Sequence, residues 1–321
     1  MPKRALITGI AGQDGYYLTE LLLSEGYEVF GLVLPTDPVD ILEPYLERVA
    51  ILPGDLTDDE SVRAAVETSR PDEVYNFAAQ SSVAMSWERP VLTAEVDAVG
   101  PLRLLEAVRK LAPVARVLQP SSADMFGCVE AGAQDESTPF RPVSPYGAAK
   151  LFAHVIGVDY RQTHGTFVCN AILFNHESPK RPVSFVTRKI TEGAARVKLG
   201  LAAELPMGNL DVRRDWGLAG DYVRAMWLML RHERPDDYVV ATGETHTVRD
   251  FCEIAFAHLG LDYREYVTQD ERFMRPADSI AQRGDAGKAR RVLGWVPTVS
   301  FRELVEMMVD ADVARLKAGP E

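Results

Sequence analysis

A glycine-rich turn joins the first strand-like run of the chain, residues 5–9, to its first amphipathic segment, residues 14–25. The turn holds Gly9, Gly12 and Gly15 in the spacing Gly-x-x-Gly-x-x-Gly. Glycines at these positions permit a tight turn and a close backbone approach, so that a pyrophosphate can lie on the unpaired amides that begin a helix. The alternative is a turn that is merely tight. The position of these glycines between a strand and a helix favours a dinucleotide site.

Strand-like runs alternate with helical segments through the first half of the chain. The predicted strands are residues 5–9, 28–33, 49–52, 73–78, 116–121 and 167–173. The predicted helices are residues 14–25, closed by Gly26, residues 58–69, capped by Thr57, and residues 91–111. Such alternation is typical of a parallel sheet covered by crossover helices. The sequence therefore predicts an α/β fold with a doubly wound parallel sheet, the Rossmann arrangement.

The pattern changes after residue 174. Residues 175–182 are polar and bounded by proline, so we predict a loop there rather than a further crossover. Helices follow in the prediction at 185–199, 220–231, 247–259 and 300–317, with a short extended piece at 238–241. We therefore divide the chain into a dinucleotide-binding domain, residues 1–174, and a smaller, mostly helical substrate-binding lobe, residues 175–321. The chain can cross back between the two, and we expect them to face each other across a cleft.

Charge and cysteine usage limit the classes of partner. The 35 Lys and Arg residues against 47 Asp and Glu give a net charge of -12, which argues against broad attachment to nucleic acid or to an anionic membrane. We expect neither a signal peptide nor a membrane span. Cys128, Cys169 and Cys252 lie far apart without a metal-ligand pattern. They predict buried thiols, no metal site and a reducing, cytoplasmic location.

The predicted cofactor site extends from the turn to the ends of the next three strands. Gln13 and Asp14 belong to the turn itself. Asp37 lies 22 positions after Gly15, which is near the spacing expected of a ribose-binding carboxylate. Pro35 can instead turn the Asp37 side chain towards solvent. Ligands of such sheets gather at the carboxyl ends of the strands. The residues that follow the third and fourth strands are Asp55, Leu56, Ala78, Ala79, Gln80 and Ser81. We interpret Asp55 as an adenine contact, the Ala-Ala-Gln turn as facing the cofactor, and Ser81 as facing the substrate.

Tyr146 and Lys150 form a candidate catalytic pair. Ser144 at the N-cap and Pro145 at the first position predict a helix that places Tyr146 and Lys150 one turn apart on one face. Because a nearby ammonium stabilises a phenolate, we expect Lys150 to lower the pKa of Tyr146 and make it a general base for a hydroxyl proton. An ordinary amphipathic pair is the alternative, and the preceding dinucleotide turn favours catalysis.

Ser122 and Asp124 follow the fifth predicted strand, at the expected substrate cleft. Ser122 is suited to hydrogen-bond the reacting oxygen beside Tyr146. Asp124 would remove a carbon-bound proton if partial burial raised its pKa. Both can also be read as ordinary turn residues.

Several longer motifs resemble those of the GDP-mannose 4,6-dehydratases, a family of nucleotide-sugar enzymes within the extended short-chain dehydrogenase/reductases. The resemblance extends from about residue 4 to residue 313. The motifs are GIAGQDG at 9–15, AAQS at 78–81, DMFG at 124–127, SPY at 144–146, LFNHESP at 173–179, FVTRK at 185–189, RDWG at 214–217, ATGETH at 241–246, RPAD at 275–278 and LGW at 293–295. The Asn-His-Glu-Ser-Pro run is the most specific of them.

The resemblance implies a hydro-lyase that converts GDP-mannose to GDP-4-keto-6-deoxymannose by internal hydride transfer through a tightly bound, recycled NADP. It implies that Ser122 is the active-site hydroxyl, that Asp124 stands in for the family's glutamate base, and that Tyr146 and Lys150 are the tyrosine and lysine. It also implies a homodimer or homotetramer. The implied cofactor contacts after the sixth strand are His176 and Arg181, and the implied nucleotide-sugar contacts are Asn175, Lys189, Arg214 and Arg275, where arginine suits a diphosphate.

Three departures from the family pattern bear on these expectations. In the loop after the second strand, this chain has Leu34-Pro35 where the family has an Arg-Arg pair that binds the NADP 2′-phosphate and contributes to the tetramer contact. The choice between NAD and NADP, and that between a dimer and a tetramer, therefore stay open. Asp124 is one methylene shorter than glutamate. The family's Arg-Arg-Gly is here Lys180-Arg181-Pro182.

Two alternative functions stay open. A 4-ketoreductase or epimerase of a GDP-sugar would need Tyr146 and Lys150 but not Asp124. A non-catalytic, cofactor-binding regulator would need none of the three, and the intact Tyr-Lys pair disfavours it.

Overall fold

A seven-stranded parallel sheet forms the central layer. The structure, a computed structural model, describes residues 1–127, 132–270, 272 and 282–319. The strands, numbered in chain order, are β1 Arg4–Thr8, β2 Glu28–Val33, β3 Val49–Pro53, β4 Glu73–Asn76, β5 Arg116–Ser122, β6 Phe167–Leu173, β7 Asn175–Glu177, β8 Leu205–Met207, β9 Arg213–Arg214, β10 Trp216–Leu218, β11 Asp237–Val240, β12 His246–Thr247 and β13 Val267–Gln269. The order of strands in the central sheet is β11-β6-β5-β4-β1-β2-β3. The predicted doubly wound sheet is thus confirmed.

Helices cover both faces of the sheet. They are α1 Gln13–Ser24, α2 Asp59–Ser69, α3 Val83–Glu88, α4 Pro90–Ala94, α5 Gly100–Leu111, α6 Pro145–His164, α7 Val186–Lys198, α8 Ala219–Arg231, α9 Val248–His258, α10 Gly287–Leu293 and α11 Phe301–Ala318. Successive residues of a strand point to opposite faces. Ile7 therefore packs in a core with α1 and α8, while Leu6 packs in a second core with α2 and α5. Both faces are buried, which explains why these strands read as continuous apolar runs.

Two local predictions in the first half are wrong. The side chain of Asp58, not Thr57, caps α2 by accepting from the Glu60 amide, while the Thr57 amide donates to Asp55. The predicted continuous helix over 91–111 is α4 and α5 joined by a π-helical turn, Glu95–Val99. α3 precedes them, capped by the Ser82 side chain, and the sequence analysis did not predict it.

The second half of the chain builds a separate core and also returns to the sheet. α7, α9 and α11 pack around Trp216, Phe251 and Phe301. Capping boxes at Thr247 and Ser300 begin α9 and α11 near the predicted positions.

The crossing back occurs through α8 and β11. α8 packs on α1, and β11 pairs with β6 as the seventh strand of the sheet. Only four residues long, β11 was predicted as an extended piece and not as part of this sheet. The predicted loop at 175–182 is wrong at its start, because Asn175–Glu177 forms β7 and pairs with β10. The boundary at 174/175 stays a prediction.

In the described residues, none of the helices combines the length and the apolar character needed to cross a bilayer.

Candidate active site

The turn between β1 and α1 packs closely against its own backbone and against the end of β4. Gly9 has φ +66°, and a Cβ there would lie 2.7 Å from the Ala78 amide nitrogen. A Cβ at Gly15 would collide with the Ile10 carbonyl. Gly12 occupies the N-cap, where the described residues provide no side-chain cap. The first amides of α1 are therefore arranged as a phosphate site requires.

The side chains of Gln13 and Asp14 tie this turn to β7. Asp14 Oδ2 accepts from His176 Nε2 at 2.9 Å, and His176 Nδ1 lies 2.9 Å from the Phe174 carbonyl. Gln13 accepts from Ser178 Oγ at 2.7 Å and donates to the His176 carbonyl at 3.1 Å. Two sequence motifs that are far apart in the chain therefore form one buried unit at the carboxyl edge of the sheet.

The pair of Asp14 and His176 is charged. Burial acts to raise the pKa of Asp14, but the charge and hydrogen bond of His176 outweigh it and hold that pKa below its usual value. Burial acts to lower the pKa of His176, and Asp14 more than compensates, so that the pKa of His176 is raised. Because both ring nitrogens face oxygen acceptors, both carry protons and the ring is cationic.

Arg181 lies close to this pair. Its Nε is 3.2 Å from Glu177 Oε2, and its guanidinium covers the ring of Phe185 at 3.6 Å from the centroid. The charge of Arg181 acts on the pKa values of Asp14, His176 and Tyr146. It is therefore a local cation of the kind expected near a phosphate.

Buried polar side chains fix the strand ends beneath the turn. Thr8 Oγ1 donates to Asn76 Oδ1 at 2.8 Å, and Asn76 Nδ2 donates to Gln119 Oε1 at 2.8 Å. Thr8 Oγ1 also accepts from the Ala78 amide at 3.1 Å. The sequence analysis missed this network, although polar residues inside predicted buried strands were a signal for it.

Among the predicted cofactor residues after β4, Gln80 makes hydrogen bonds with both its backbone amide and its side chain. The Gln80 amide donates to Asp97 Oδ1 at 2.7 Å, and its side chain donates to Thr93 Oγ1 at 3.1 Å and to the Ser82 carbonyl at 3.0 Å. The Gln80 side chain thus stabilises its own turn. Ala78 is half-buried, and Ala79 and Ser81 are exposed.

The residues predicted for the adenosine side lie after β2 and β3. Asp37 is exposed. Asp55 is half-buried, and its Oδ1 accepts from the Thr57 amide at 2.8 Å. Leu56 is buried against Gly100, where an added Cβ would lie 3.0 Å from the Leu56 Cβ. The structure does not bring Asp37 into a contact with the buried part of the site.

Ser122, Asp124, Tyr146 and Lys150 come together at the carboxyl end of β5. Ser144 caps α6 as predicted, accepting from the Gly147 amide at 3.0 Å, with Pro145 at the first position. A Cβ at Gly147 would lie 2.7 Å from the Asp124 carbonyl, so α6 packs directly on the turn that follows β5. Within that turn, Ser122 Oγ donates to Asp124 Oδ2 at 3.3 Å and accepts from the Asp124 amide at 3.1 Å. Tyr146 and Lys150 are both buried.

The pKa of Tyr146 is raised, so the expected lowering by Lys150 is wrong. Burial is the largest cause, and the charges of Asp124 and Asp97 add to it, while the Ser122 hydrogen bond and the Arg181 charge act in the opposite direction. Burial also lowers the pKa of Lys150, against the charges of Asp97 and Asp14. The expectation failed because desolvation of the phenolate exceeds any nearby stabilisation.

Asp124 has the raised pKa that a carbon base requires. Burial is the largest cause, and it is opposed by the charge of Arg214 and by hydrogen bonds from Ser122 and Gln282. The predicted direction for this carboxyl is therefore confirmed.

The predicted substrate contacts lie around this group. Arg214 is half-buried on β9, and its charge acts on Asp124. Asp215 positions the segment by accepting from the amides of Thr242, Gly243 and Gly284. Sequence reasoning did not identify Asp215.

Three other predicted contacts are more widely spread. Asn175 lies on β7 opposite Trp216. Lys189 is half-buried on α7, where burial lowers its pKa against the charge of Asp270. Arg275 lies outside the described residues. The described residues contain no group of three or more His, Cys, Asp or Glu side chains arranged to hold a metal ion.

Comparison with known proteins gives consistent results. The family model described as GDP-mannose 4,6 dehydratase matches residues 6–308. GDP-mannose 4,6 dehydratase 2 of Arabidopsis thaliana is 51% identical over 98% of this chain and 88% of its own. The solved dTDP-glucose 4,6-dehydratase DesIV of Streptomyces venezuelae, with NAD bound, is 26% identical with a TM-score of 0.87, covering 98% of each chain. RMD of Pseudomonas aeruginosa, complexed with NADPH, is 25% identical with a TM-score of 0.82, covering 98% of this chain and 100% of its own. The chain belongs to the GDP-mannose 4,6-dehydratase family.

Proposed function

We propose that this protein is a hydro-lyase that converts GDP-mannose to GDP-4-keto-6-deoxymannose. The observation that carries the proposal is the grouping of buried Ser122, Tyr146 and Lys150 with half-buried Asp124 at the carboxyl edge of a dinucleotide-type sheet. Family membership over nearly the whole chain supports the same reaction.

The residues present fit a dinucleotide. Gly9 and Gly15 allow the turn to pack directly on the backbones of Ala78 and Ile10, and the N-terminus of α1 lacks a side-chain cap among the described residues. The α1 amides would hold the pyrophosphate, and Lys150 would contact the nicotinamide ribose. Bound NAD(P) would supply a hydride acceptor at C4 of the sugar and a hydride donor at C6, so that the reaction is redox-neutral.

The side chains divide the proton transfers between them. Ser122 hydrogen-bonds the sugar O4. Burial raises the pKa of Tyr146, and the positive charges of Lys150 and of a bound oxidised nicotinamide would act against burial to favour the phenolate. As the phenolate, Tyr146 accepts the O4 proton as C4 becomes a ketone. The ketone acidifies the proton on C5. Asp124, whose pKa is raised by burial, removes that proton and passes it to the C6 hydroxyl, which leaves as water. Once hydride has been returned to C6, C5 would take up a proton that exchanges with solvent. Arg214 and Lys189, with Arg275, hold the nucleotide diphosphate by charge.

The cofactor is a nicotinamide dinucleotide, and we propose that NAD is accepted alongside NADP. No Lys or Arg occurs between Val33 and Arg48, the segment that follows β2. Leu34 and Pro35, in place of the family's arginine pair, are exposed. A 2′-phosphate would therefore lack its usual charged partner at this loop. His176, Arg181, Asp37, Asp55, Leu56 and the turn 78–80 remain the proposed further contacts.

We propose a homodimer through α6. Exposed Ala148, Phe152 and Val155 follow one another at helical spacing on α6, and exposed Trp87 and Val91 lie on the neighbouring short helices. An apolar stripe of this kind on a helix is suited to a second copy of the chain. The molar mass of the protein in solution would distinguish this dimer from a tetramer. The buried free thiols of Cys169 and Cys252 favour a cytoplasmic location.

A 4-ketoreductase or epimerase of a GDP-sugar is the second candidate function. The observation that favours it is the short side chain of Asp124, because dehydration requires this carboxylate to reach C5 of the sugar, whereas the alternative reactions do not. The test of the proposal is to incubate the purified protein with GDP-mannose and other nucleotide sugars and to resolve the products by mass. A product lighter by one water, formed without added NAD(P)H, supports dehydration. Stoichiometric consumption of added NAD(P)H, with no loss of water, would support the reductase.

A further inference from the structure

Asp97 lies in the π-helical turn between α4 and α5, and its side chain is 1% exposed. Its Oδ1 accepts from the Gln80 amide at 2.7 Å. Its Oδ2 is buried and has no hydrogen-bond partner among the described residues. A buried carboxylate oxygen without a partner is costly, so a native chain that keeps one needs an explanation. π-helical turns inside helices are frequent at functional sites.

Lys150 supplies the neighbouring charge. α6 packs on the π-helical turn, and Lys150 is 5% exposed. Within the described part of the chain, its ammonium makes neither a hydrogen bond nor an ion pair shorter than 4 Å. The groups that act on its pKa, besides burial, are Asp97 and then Asp14. Tyr146 and His154 lie one turn before and after it on α6.

The influence is mutual. Burial raises the pKa of Asp97 to about 6, and the charge of Lys150 is the largest effect acting against it, followed by the Gln80 amide. The charges of Asp97 and Asp14 act on Lys150, and those of Asp124, Asp97 and Arg181 act on Tyr146. Asp97 therefore acts on both residues of the proposed catalytic pair. Asp97 is thus the principal counter-charge of the buried ammonium.

We propose that Asp97 is a positioning residue: one carboxylate oxygen fixes the Gln80 amide of the cofactor-facing turn, and the negative charge of the carboxylate keeps Lys150, on the helix packed against it, cationic. It links the turn after β4 to the helix that carries Tyr146 and Lys150. The inference rests on the proposed function for the roles of those two residues. The sequence analysis missed Asp97, although a carboxylate on the apolar face of 91–111, at helical spacing from Leu104 and Val108, was a signal for it.

The direct test measures the titration of Lys150, independently of turnover. The full-length protein is labelled with trace acetic anhydride across a pH series, and the peptide that contains Lys150 is quantified by mass spectrometry. In Asp97→Asn, the Gln80 contact is retained and the charge is lost. We expect the labelling midpoint of Lys150 to fall by about one pH unit or more, while exposed Lys110 keeps its midpoint.

Thr93→Val is the matched control. It removes the hydroxyl that accepts from the Gln80 side chain, from the same helical segment, without changing a charge near Lys150. We expect it to leave the Lys150 midpoint unchanged, and we expect Asp97→Glu to restore it. If Asp97→Asn does not fold, Asp97→Ser, which needs less space, replaces it.

The proposal would be overturned if the labelling midpoint of Lys150 did not change in Asp97→Asn. An equal fall of this midpoint in Thr93→Val would also overturn it. The pH profile of kcat/KM gives a second readout. Its alkaline limb should move to lower pH in Asp97→Asn, and the KM for the sugar should change less than kcat. If the protein proves not to dehydrate GDP-mannose, the labelling midpoint still shows whether Asp97 keeps Lys150 cationic. A failure of the proposed function is therefore distinguishable from a failure of this inference.

Discussion

Asp14 at the start of α1 and His176 on β7, 162 positions apart in the chain, form a partly buried ion pair with an O···N distance of 2.9 Å. This contact joins the glycine turn to the Asn-His-Glu-Ser-Pro motif. It fixes the relative position of two segments that each contribute to the proposed cofactor site.

The stability that this pair contributes should depend on pH in both directions. The raised pKa of His176 means that its contribution is complete below the ordinary value of 6.5 and is lost as pH rises through the raised pKa. The lowered pKa of Asp14 means that its contribution is complete above 3.8 and is lost as pH falls through the lowered pKa. The difference in unfolding free energy between the wild type and the double variant Asp14→Asn, His176→Gln should therefore be largest between about pH 4 and pH 6.5.

Removing one partner should cost more than removing both. Asp14→Asn leaves a partly buried cation without its counter-charge, and we expect a loss of about 3 kcal/mol in unfolding free energy. Denaturant titrations at several pH values measure both effects. Asp262→Asn, which removes the charge of the exposed pair with Arg264, serves as a control and should leave the unfolding free energy nearly unchanged. A difference that does not vary with pH would contradict the assignment of charge.

Tyr146→Phe should reduce turnover by about 100-fold or more while leaving dinucleotide binding nearly intact. The ring still packs at the start of α6, but the proton acceptor is gone. Lys150→Ala should weaken both turnover and dinucleotide binding, since the ammonium is assigned to both. Steady-state rates and dinucleotide titrations separate the two variants. Near-normal turnover in Tyr146→Phe would exclude the proposed mechanism.

Asp124→Asn should stall the reaction after oxidation at C4, because an amide cannot accept the C5 proton. Reduced dinucleotide should then accumulate when GDP-mannose is added. Its amount is measured by the absorbance of the reduced nicotinamide ring. In the wild type, reaction in heavy water should place deuterium at C5 of the product. Asp124→Glu restores the family's longer base and should retain turnover. Dehydration by Asp124→Asn at the wild-type rate would show that another group is the base.

The protein as purified should release NAD, or a mixture of NAD and NADP, when it is denatured. The loop with Leu34 and Pro35 offers a 2′-phosphate no arginine, and a charge-assisted contact contributes roughly 1.5 to 3 kcal/mol. Leu34→Arg should therefore shift the preference towards NADP by about ten-fold or more. Release of NADP alone from the wild type would mean that cations elsewhere replace the missing pair.

The strands and the catalytic helix could be predicted because their signals are local. β2 and β6 coincide with the predicted ranges, since strands buried on both faces are continuous apolar runs between polar turns. The cap at Ser144 and the glycine turn likewise depend on a few adjacent residues.

What the sequence analysis missed depends on distant contacts. The chain of hydrogen bonds from Thr8 through Asn76 to Gln119 joins three strands, and no periodicity signals such pairing. The π-helical turn at Asp97 follows from packing against α6 rather than from helix propensity. The sign of the Tyr146 pKa shift failed for a related reason, because desolvation depends on every element that covers the side chain.

The return of the chain to the sheet through β11 affects how the protein can be synthesised. Until residue 240 has emerged from the ribosome, β6 has no neighbour on its outer side and presents unpaired backbone groups. A fragment that ends at residue 174 would keep that open edge permanently and would also lack α8, which covers α1. We therefore expect such a fragment to aggregate, and nascent chains stalled between residues 174 and 240 to require a chaperone.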